Sequence, residues 1–186
     1  MSSKVVIIVP SQGHNTGAFD SVAAQLKSEV YDDAVIVKTR ITDDSGVVTV
    51  AFYKHAQPFS WDRTTALRRV LTISHGMLDG PNLGYCDTIL PMEAHQPWGT
   101  NGGDLTEAGT TFWTLVSRHM EAKGKIILLG CLMGAGNFAR NVAKLTKREV
   151  YAASNEFGAG NAKTALKSVR AIEKHKRPPG LLKFTG

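Results

Sequence analysis

The sequence predicts an α/β protein built around an open, mostly parallel sheet of about six strands. Short β-branched apolar runs alternate with amphipathic stretches of helical period, and turn-forming residues separate them. The chain has 186 residues, of which 42% are hydrophobic, enough to bury most of the unfolded surface in one core. Residues 1–186 are therefore expected to form a single domain.

Taken in order, VVIIV from Val5 is the first strand, AFDSVAAQLKSEV the first helix and AVIVKTR from Ala34 the second strand. The turn-rich TDDSG then leads into VVTVAFY, Val47 to Tyr53, read as a hairpin excursion. RTTALRRV precedes a third core strand, VLTIS, from Val70 to Ser74. A long loop follows from His75 to Gly103, and loops of that length in compact domains are usually functional or disordered. Asp104 and Glu107 form a capping-box pattern opening a helix with Leu105, Ala108, Phe112, Leu115 and Val116 on one face, expected to close at Gly124. IILLG is the next strand. Asn137 is the expected cap of a helix carrying Phe138, Val142 and Leu145, and VYAAS is the fifth strand. Asn161 caps a last helix with Ala162, Ala165, Leu166, Val169 and Ile172 inward, and Pro178 and Pro179 stop it before a short final strand, LLKFT. GAGN occurs at Gly134 and again at Gly158, each time between strand and helix, as turn chemistry rather than a repeat.

Charge is unevenly spread. Residues 1–117 hold 8 basic and 12 acidic side chains, and residues 118–186 hold 14 and 4, so a front of −4 is followed by a back of +10. Lys163, Lys167, Arg170 and Lys174 sit at solvent positions of the last helix, and no aromatic residues interleave as base stacking would require. A solvated face is expected, and no nucleic-acid partner. Two cysteines are too few for a disulfide framework, and the apolar run after Met1 has no small-residue cleavage site behind it. A soluble cytoplasmic protein with free thiols is expected, without a membrane partner, cofactor or metal.

Chemistry collects at two strand ends. In open parallel sheets reactive groups gather beyond the carboxyl ends of the strands, where this sequence places His75 after VLTIS and Cys131 after IILLG. A thiol must ionise to attack a carbonyl, and a nearby imidazole together with a following helix N-terminus favours the thiolate. Gly76, lacking a side chain, lets its backbone N–H approach a substrate oxygen, so the Gly76 and Cys131 amides are candidate oxyanion donors.

ISHGMLDG and ILLGCLMGAGNFARNVAKLTKREVYAAS resemble the caspase-like cysteine peptidases, a group that includes caspases, metacaspases, legumain, gingipains and separase. They look most like bacterial domains at the front of large repeat adhesins, where Ser-His-Gly is followed by Gly-Cys, a helix and a strand ending in Ala-Ser. The resemblance implies a three-layer αβα sandwich, a protein or peptide substrate, His75 as general base and acid, and Cys131 as nucleophile. It also implies a specificity pocket lined by Gln12, His14 and Asn15 after the first strand and by Ser154, Asn155 and Glu156 after the fifth. Leu129 and Gly130 stand where members that cut after basic residues often carry an acid and where caspases carry glutamine and alanine. Acids nonetheless dominate nearby, at Asp79, Asp87, Glu93, Asp104 and Glu156, so cleavage after arginine or lysine is expected, with Glu156 as the pocket acid. The loop from His75 to Gly103 contains no lysine or arginine, so an enzyme with that preference is expected to act as a single chain.

Three other readings compete. GAGNFA, Gly134 to Ala139, satisfies the dinucleotide pattern G-x-G-x-x-G/A with Glu156 twenty residues beyond Gly136, but Cys131, Leu132 and Met133 separate it from the strand end. His75, Cys86 and His95 share one loop, at spacings that match no common zinc pattern. Cys86 is read instead as an incidental loop thiol. The same fold could also serve as a catalytically idle interaction domain.

Overall fold

The structure, a computed structural model, describes residues 4–10, 12–13, 16–44, 47–54, 57–58, 66–78, 80–82, 85–86, 100–101 and 104–186. Its eight-stranded sheet is built from β1 (Lys4–Pro10), β2 (Val35–Asp44), β3 (Val47–Lys54), β4 (Gln57–Pro58), β5 (Leu67–Ile73), β6 (Met120–Leu129), β7 (Glu149–Ala152) and β8 (Leu182–Phe184), in the spatial order β8-β7-β6-β5-β1-β2-β3-β4. The five strands from β7 to β2 run parallel, whereas β8, β3 and β4 join antiparallel at the two edges. The six expected core strands are present, and the hairpin strand β3 and the short β4 extend them.

Helices α1 (Thr16–Glu29), α2 (Glu107–His119), α3 (Phe138–Thr146) and α4 (Ala162–Glu173) cover the sheet in pairs. The pleat sorts the apolar residues between them. Val5, Ile7, Val9, Leu71, Ile73, Ile127 and Leu129 join one core with Phe19, Val22 and Leu26 of α1 and Ala165, Val169 and Ile172 of α4. Val6, Ile8, Val70, Ile126 and Leu128 join a second core with Phe112, Trp113 and Val116 of α2 and Phe138 and Val142 of α3. This is the three-layer sandwich with a mostly parallel sheet that the resemblance implies. Strands buried on both faces have to read as continuous apolar runs, and VVIIV and IILL do.

Boundaries moved where tertiary contacts overrode local pattern. α2 begins at Glu107 because Thr106 caps it, its hydroxyl accepting the Gly109 N–H, while Asp104–Leu105 pairs instead with Thr100–Asn101. The helix stops at His119 rather than Gly124. Met120 pairs with Leu67 and Lys125 with Arg69, so the chain between them bulges out of register. Gly124 lies in that bulge, where a Cβ would come 3.2 Å from the Leu67 carbonyl oxygen. Leu115 is partly exposed, and the fully buried Trp113 takes the place expected for it. β5 starts at Leu67, three residues earlier than expected, because parallel pairing with β1 and β6 draws LRR into the ladder. Asn161 caps α4 through the Thr164 N–H, but Asn137 precedes α3 in a helical conformation with no side-chain capping bond.

At the amino end of the sheet, ions close the core. Arg69 makes a two-pronged bond to Glu173 at 2.6 and 2.8 Å, and the Tyr31 hydroxyl donates to the same carboxylate at 2.7 Å. Burial alone would raise the Glu173 pKa, but the bonds from Arg69 and Tyr31 outweigh it and hold the carboxyl below its usual range. The Lys125 ammonium donates to the Ile172 carbonyl in the last turn of α4 and lies 5.9 Å from the Tyr151 ring centre. Burial, then the Arg69 charge, lowers its pKa. Glu149 accepts from Tyr151 and pairs with Lys183, and Tyr151 is pushed up to about 12 by burial and then by that bond.

Candidate active site

His75 and Cys131 each stand two residues beyond a paired position, since Ile73 of β5 faces Leu129 of β6. Neighbouring strands lie about 4.8 Å apart, so the register brings the two residues side by side at the carboxyl end of the sheet. The Ser74 N–H donates to the Leu129 carbonyl and carries the ladder one step past Ile73, while the buried Ser74 hydroxyl donates to the His75 carbonyl at 2.7 Å.

Parity fixes the face. Leu71 and Ile73 point toward α1 and α4, as do Ile127 and Leu129, and the alternation continues into His75 and Cys131. The His75 ring packs edge-on against Phe19 of α1, with centres 5.2 Å apart. The Cys131 sulfur accepts the Phe157 N–H at 3.2 Å and its S–H donates to the Phe157 carbonyl at 3.4 Å. Phe19 and Phe157 belong to the same core. Both side chains therefore lie on the α1 and α4 face, half-buried.

The glycines around them are there for close approach. A Cβ on Gly76 would overlap the Cys131 carbonyl oxygen and stand 2.8 Å from the Cys131 nitrogen. One on Gly130 would come 2.8 Å from the Ser74 carbonyl oxygen and 3.2 Å from the Gly76 nitrogen. The SHG and GC turns are thus packed backbone to backbone, which brings the Gly76 and Cys131 amides into one small volume. Leu132 then turns left-handed at φ 59° and donates its N–H to the Asn155 carbonyl. That conformation costs a non-glycine residue about 1 to 2 kcal/mol, a strain found where backbone geometry serves a site.

The helix expected to support the thiolate does not do so from the thiol's side. Six residues separate Cys131 from Phe138, and α3 packs on the opposite face of the sheet. On the thiol's own face the sulfur instead meets the Phe157 backbone, through both its N–H and its carbonyl. Phe157 was missed in the sequence, although an aromatic residue amid the small turn FGAG, just past the strand beside β6, was a usable signal.

Ser154, Asn155 and Glu156 follow β7 and line a groove of about 410 Å³ whose other wall is Arg177 to Leu182. His75 and Cys131 do not line it, but the Asn155 carbonyl bonds the residue after Cys131. Glu156 is exposed and shares the groove with Arg177, so the groove carries both signs of charge. Gln12 is described only in its backbone, which with Gly13 pairs parallel to Tyr85–Cys86 and ties the loop after β1 to the histidine loop. His14, Asn15, Asp79, Asp87, Glu93 and His95 lie outside the described residues.

The glycines of GAGNFA face protein. A Cβ on Gly134 would come 2.9 Å from the Ala152 carbonyl oxygen and 3.1 Å from the Phe184 ring, and one on Gly136 would come 2.9 Å from the Leu78 carbonyl oxygen. The space that a dinucleotide fingerprint leaves for a pyrophosphate is filled here by β7, β8 and the backbone at Leu78.

No protein-family model matches the chain, and no curated protein sequence matches it. Among solved structures it is similar to a secreted C11 cysteine protease from Bacteroides thetaiotaomicron in complex with an irreversible peptide inhibitor, at 12% identity and TM-score 0.41, covering 92% of this chain and 55% of that one. A second structure of a secreted C11 cysteine protease from that organism, called iotapain, is similar at 14% identity and TM-score 0.45, covering 92% and 57%. The chain spans little more than half the length of these proteins.

Proposed function

We propose that the protein is a cysteine endopeptidase with His75 and Cys131 as its dyad. The observation that carries this reading is their placement past register-matched positions of adjacent parallel strands, on one face, in turns of small residues. His75 takes the proton from Sγ, and the thiolate attacks the substrate carbonyl carbon. Negative charge on the carbonyl oxygen meets the Gly76 and Cys131 amides. The C–N bond then breaks, the amine leaves with the proton returned by His75, and water attacks the thioester with His75 again as base, releasing the acid and the thiol. Phe157 N–H holds the sulfur through both halves.

The substrate preference in this proposal is arginine or lysine before the cleaved bond, read by Glu156 across the groove beside the site. Gln12, His14, Asn15, Ser154 and Asn155 complete the binding wall. A thiol nucleophile works reduced, in keeping with a cytoplasmic setting. The test is hydrolysis of fluorogenic peptides by wild type, Cys131→Ala and His75→Ala, with folding followed by circular dichroism. Loss of turnover in both folded variants supports the dyad. A folded wild type with no turnover on any peptide favours the interaction-domain reading.

A further inference from the structure

A groove of about 590 Å³ lies between α1 and α4, on the outer surface of the helical layer on the dyad's side of the sheet. Among the described residues its charged lining is all of one sign: Lys163, Lys167, Arg170, Lys174 and Lys176. The first four are spaced 4, 3 and 4 residues apart, which puts them on one helical stripe about 16 Å long. Arg170 pairs with Glu29 of α1, but among the described residues no ion pair involves the four lysines. The one acid on α4, Glu173, turns inward to Arg69 and Tyr31.

Folding accounts for part of this stripe, since Arg170 pairs with Glu29 and stands with Lys174 at the carboxyl end of α4, where the dipole favours cations, but not for its lysines nearer the amino end. Like charges three and four residues apart weaken a helix, and Lys163 sits in the first turn, where the helix dipole disfavours a cation. α4 has no acid in that turn to offset it. A strip of cations kept at some cost to the helix is complementary to something negative. The groove's floor also holds apolar Leu166 and Ala171, and Gln25 offers an amide from the facing helix. Among the described residues no aromatic side chain lines it, so this lining offers bases nothing to stack on. Apolar floor, amide and cations suit an extended acidic polypeptide better than a nucleic acid.

Its position connects it to the dyad. The loop that sets Phe157 against the Cys131 sulfur continues through Gly160, where a Cβ would come 3.3 Å from Ala18 beside Phe19, and ends at Asn161, the α4 cap. The groove opens two residues later, at Lys163. We infer that it is a docking site for an acidic segment of the polypeptide substrate, separate from the residues flanking the cleaved bond. In naming that substrate class the inference rests on the peptidase reading, yet the groove's binding can be measured without cleavage.

The experiment is fluorescence anisotropy of full-length Cys131→Ala protein with a fluorescein-labelled peptide of eight glutamates, an equivalent glutamine peptide and an eight-nucleotide oligothymidylate. The expected result is salt-sensitive binding of the glutamate peptide, at least tenfold tighter than either control, and weakened about tenfold by K163Q/K167Q/K174Q in a protein whose circular dichroism is unchanged. Equal binding of the glutamine peptide, tighter binding of the oligonucleotide, or indifference to the triple substitution overturns the inference. In the active protein, the triple substitution is expected to raise KM about tenfold for a substrate extended by an acidic segment and to leave a short fluorogenic peptide unchanged. Equal effects on both substrates also overturn it, whereas absence of turnover on either with intact glutamate-peptide binding overturns the peptidase reading alone.

Discussion

On the face of the sheet that meets α1 and α4, β5 presents Arg69, Leu71 and Ile73 and then His75, while β6 presents Lys125, Ile127 and Leu129 and then Cys131. The same two strands therefore carry ions at one end and a candidate dyad at the other, about 20 Å apart. At the amino end Arg69 and Tyr31 bond Glu173 of α4, Lys125 bonds the Ile172 carbonyl of the same helix, and Glu149 bonds Lys183 and Tyr151. At the carboxyl end the side chains give way to glycines and the close contacts are made by backbone. The contrast separates two uses of polar residues. One end spends its charges on holding the helix to the sheet; the other sets a thiol and an imidazole among close-packed turns of small residues.

The substitutions that break this contrast most sharply are at the dyad. Cys131→Ala and His75→Ala are each expected to lower kcat/KM at least a thousandfold, with little change in melting temperature, because both side chains project past the strands and are only half-buried. Next is Gly76→Ala. Its Cβ meets the Cys131 backbone, so the two turns must part, and a displacement near 1 Å at reacting groups costs about a hundredfold in rate. Activity falling together with stability, in kinetic and thermal assays on one preparation, is the expected pattern.

The amino end should respond the other way. Arg69→Ala is expected to cost about 3 kcal/mol in chemical denaturation by stranding Glu173, and to leave the activity of the folded fraction unchanged. The pH dependence follows from the same pair. Because the carboxyl of Glu173 titrates below its ordinary value of 4.5 when folded, its contribution is present in full above that value and is lost as pH falls through the lower folded pKa. Glu149 behaves alike: burial works to raise its pKa, and the Lys183 and Tyr151 bonds outweigh it. Denaturation midpoints should therefore fall below about pH 4.5, and more shallowly in Glu173→Gln. A smaller effect is expected at the groove beside the site. Glu156→Gln should reduce the preference for arginine or lysine about tenfold in a fluorogenic library, and Arg177→Gln should increase it, since the two share that groove. Turnover of aspartyl substrates in wild type would reverse the charge argument.

Much of this was legible in the sequence. Continuous apolar runs marked β1 and β6, and Asn161 marked the start of α4, because those signals are local. The pairing of SHG with GC was legible too, for both turns follow strong strands. The face was also readable, since His75 and Cys131 fall in step with Ile73 and Leu129, but only once the register is known. What stayed hidden depends on distant partners. The bulge at Gly124 exists because Leu67 and Arg69 fix the pairing of β6, and the support of the thiol comes from Phe157, twenty-six residues away. Trp113 over Leu115 was lost for a similar reason: α2 rotates to place its largest side chain against Phe138 of α3.

The central claim is that Cys131 is the nucleophile of this end of the sheet. Intact-mass analysis after treatment with a panel of peptidyl electrophiles tests it most directly, run on wild type, Cys86→Ser and Cys131→Ala. One adduct is expected on wild type and on Cys86→Ser, with none on folded Cys131→Ala and the strongest labelling from probes carrying arginine or lysine. An adduct that persists in Cys131→Ala and vanishes in Cys86→Ser would contradict the account.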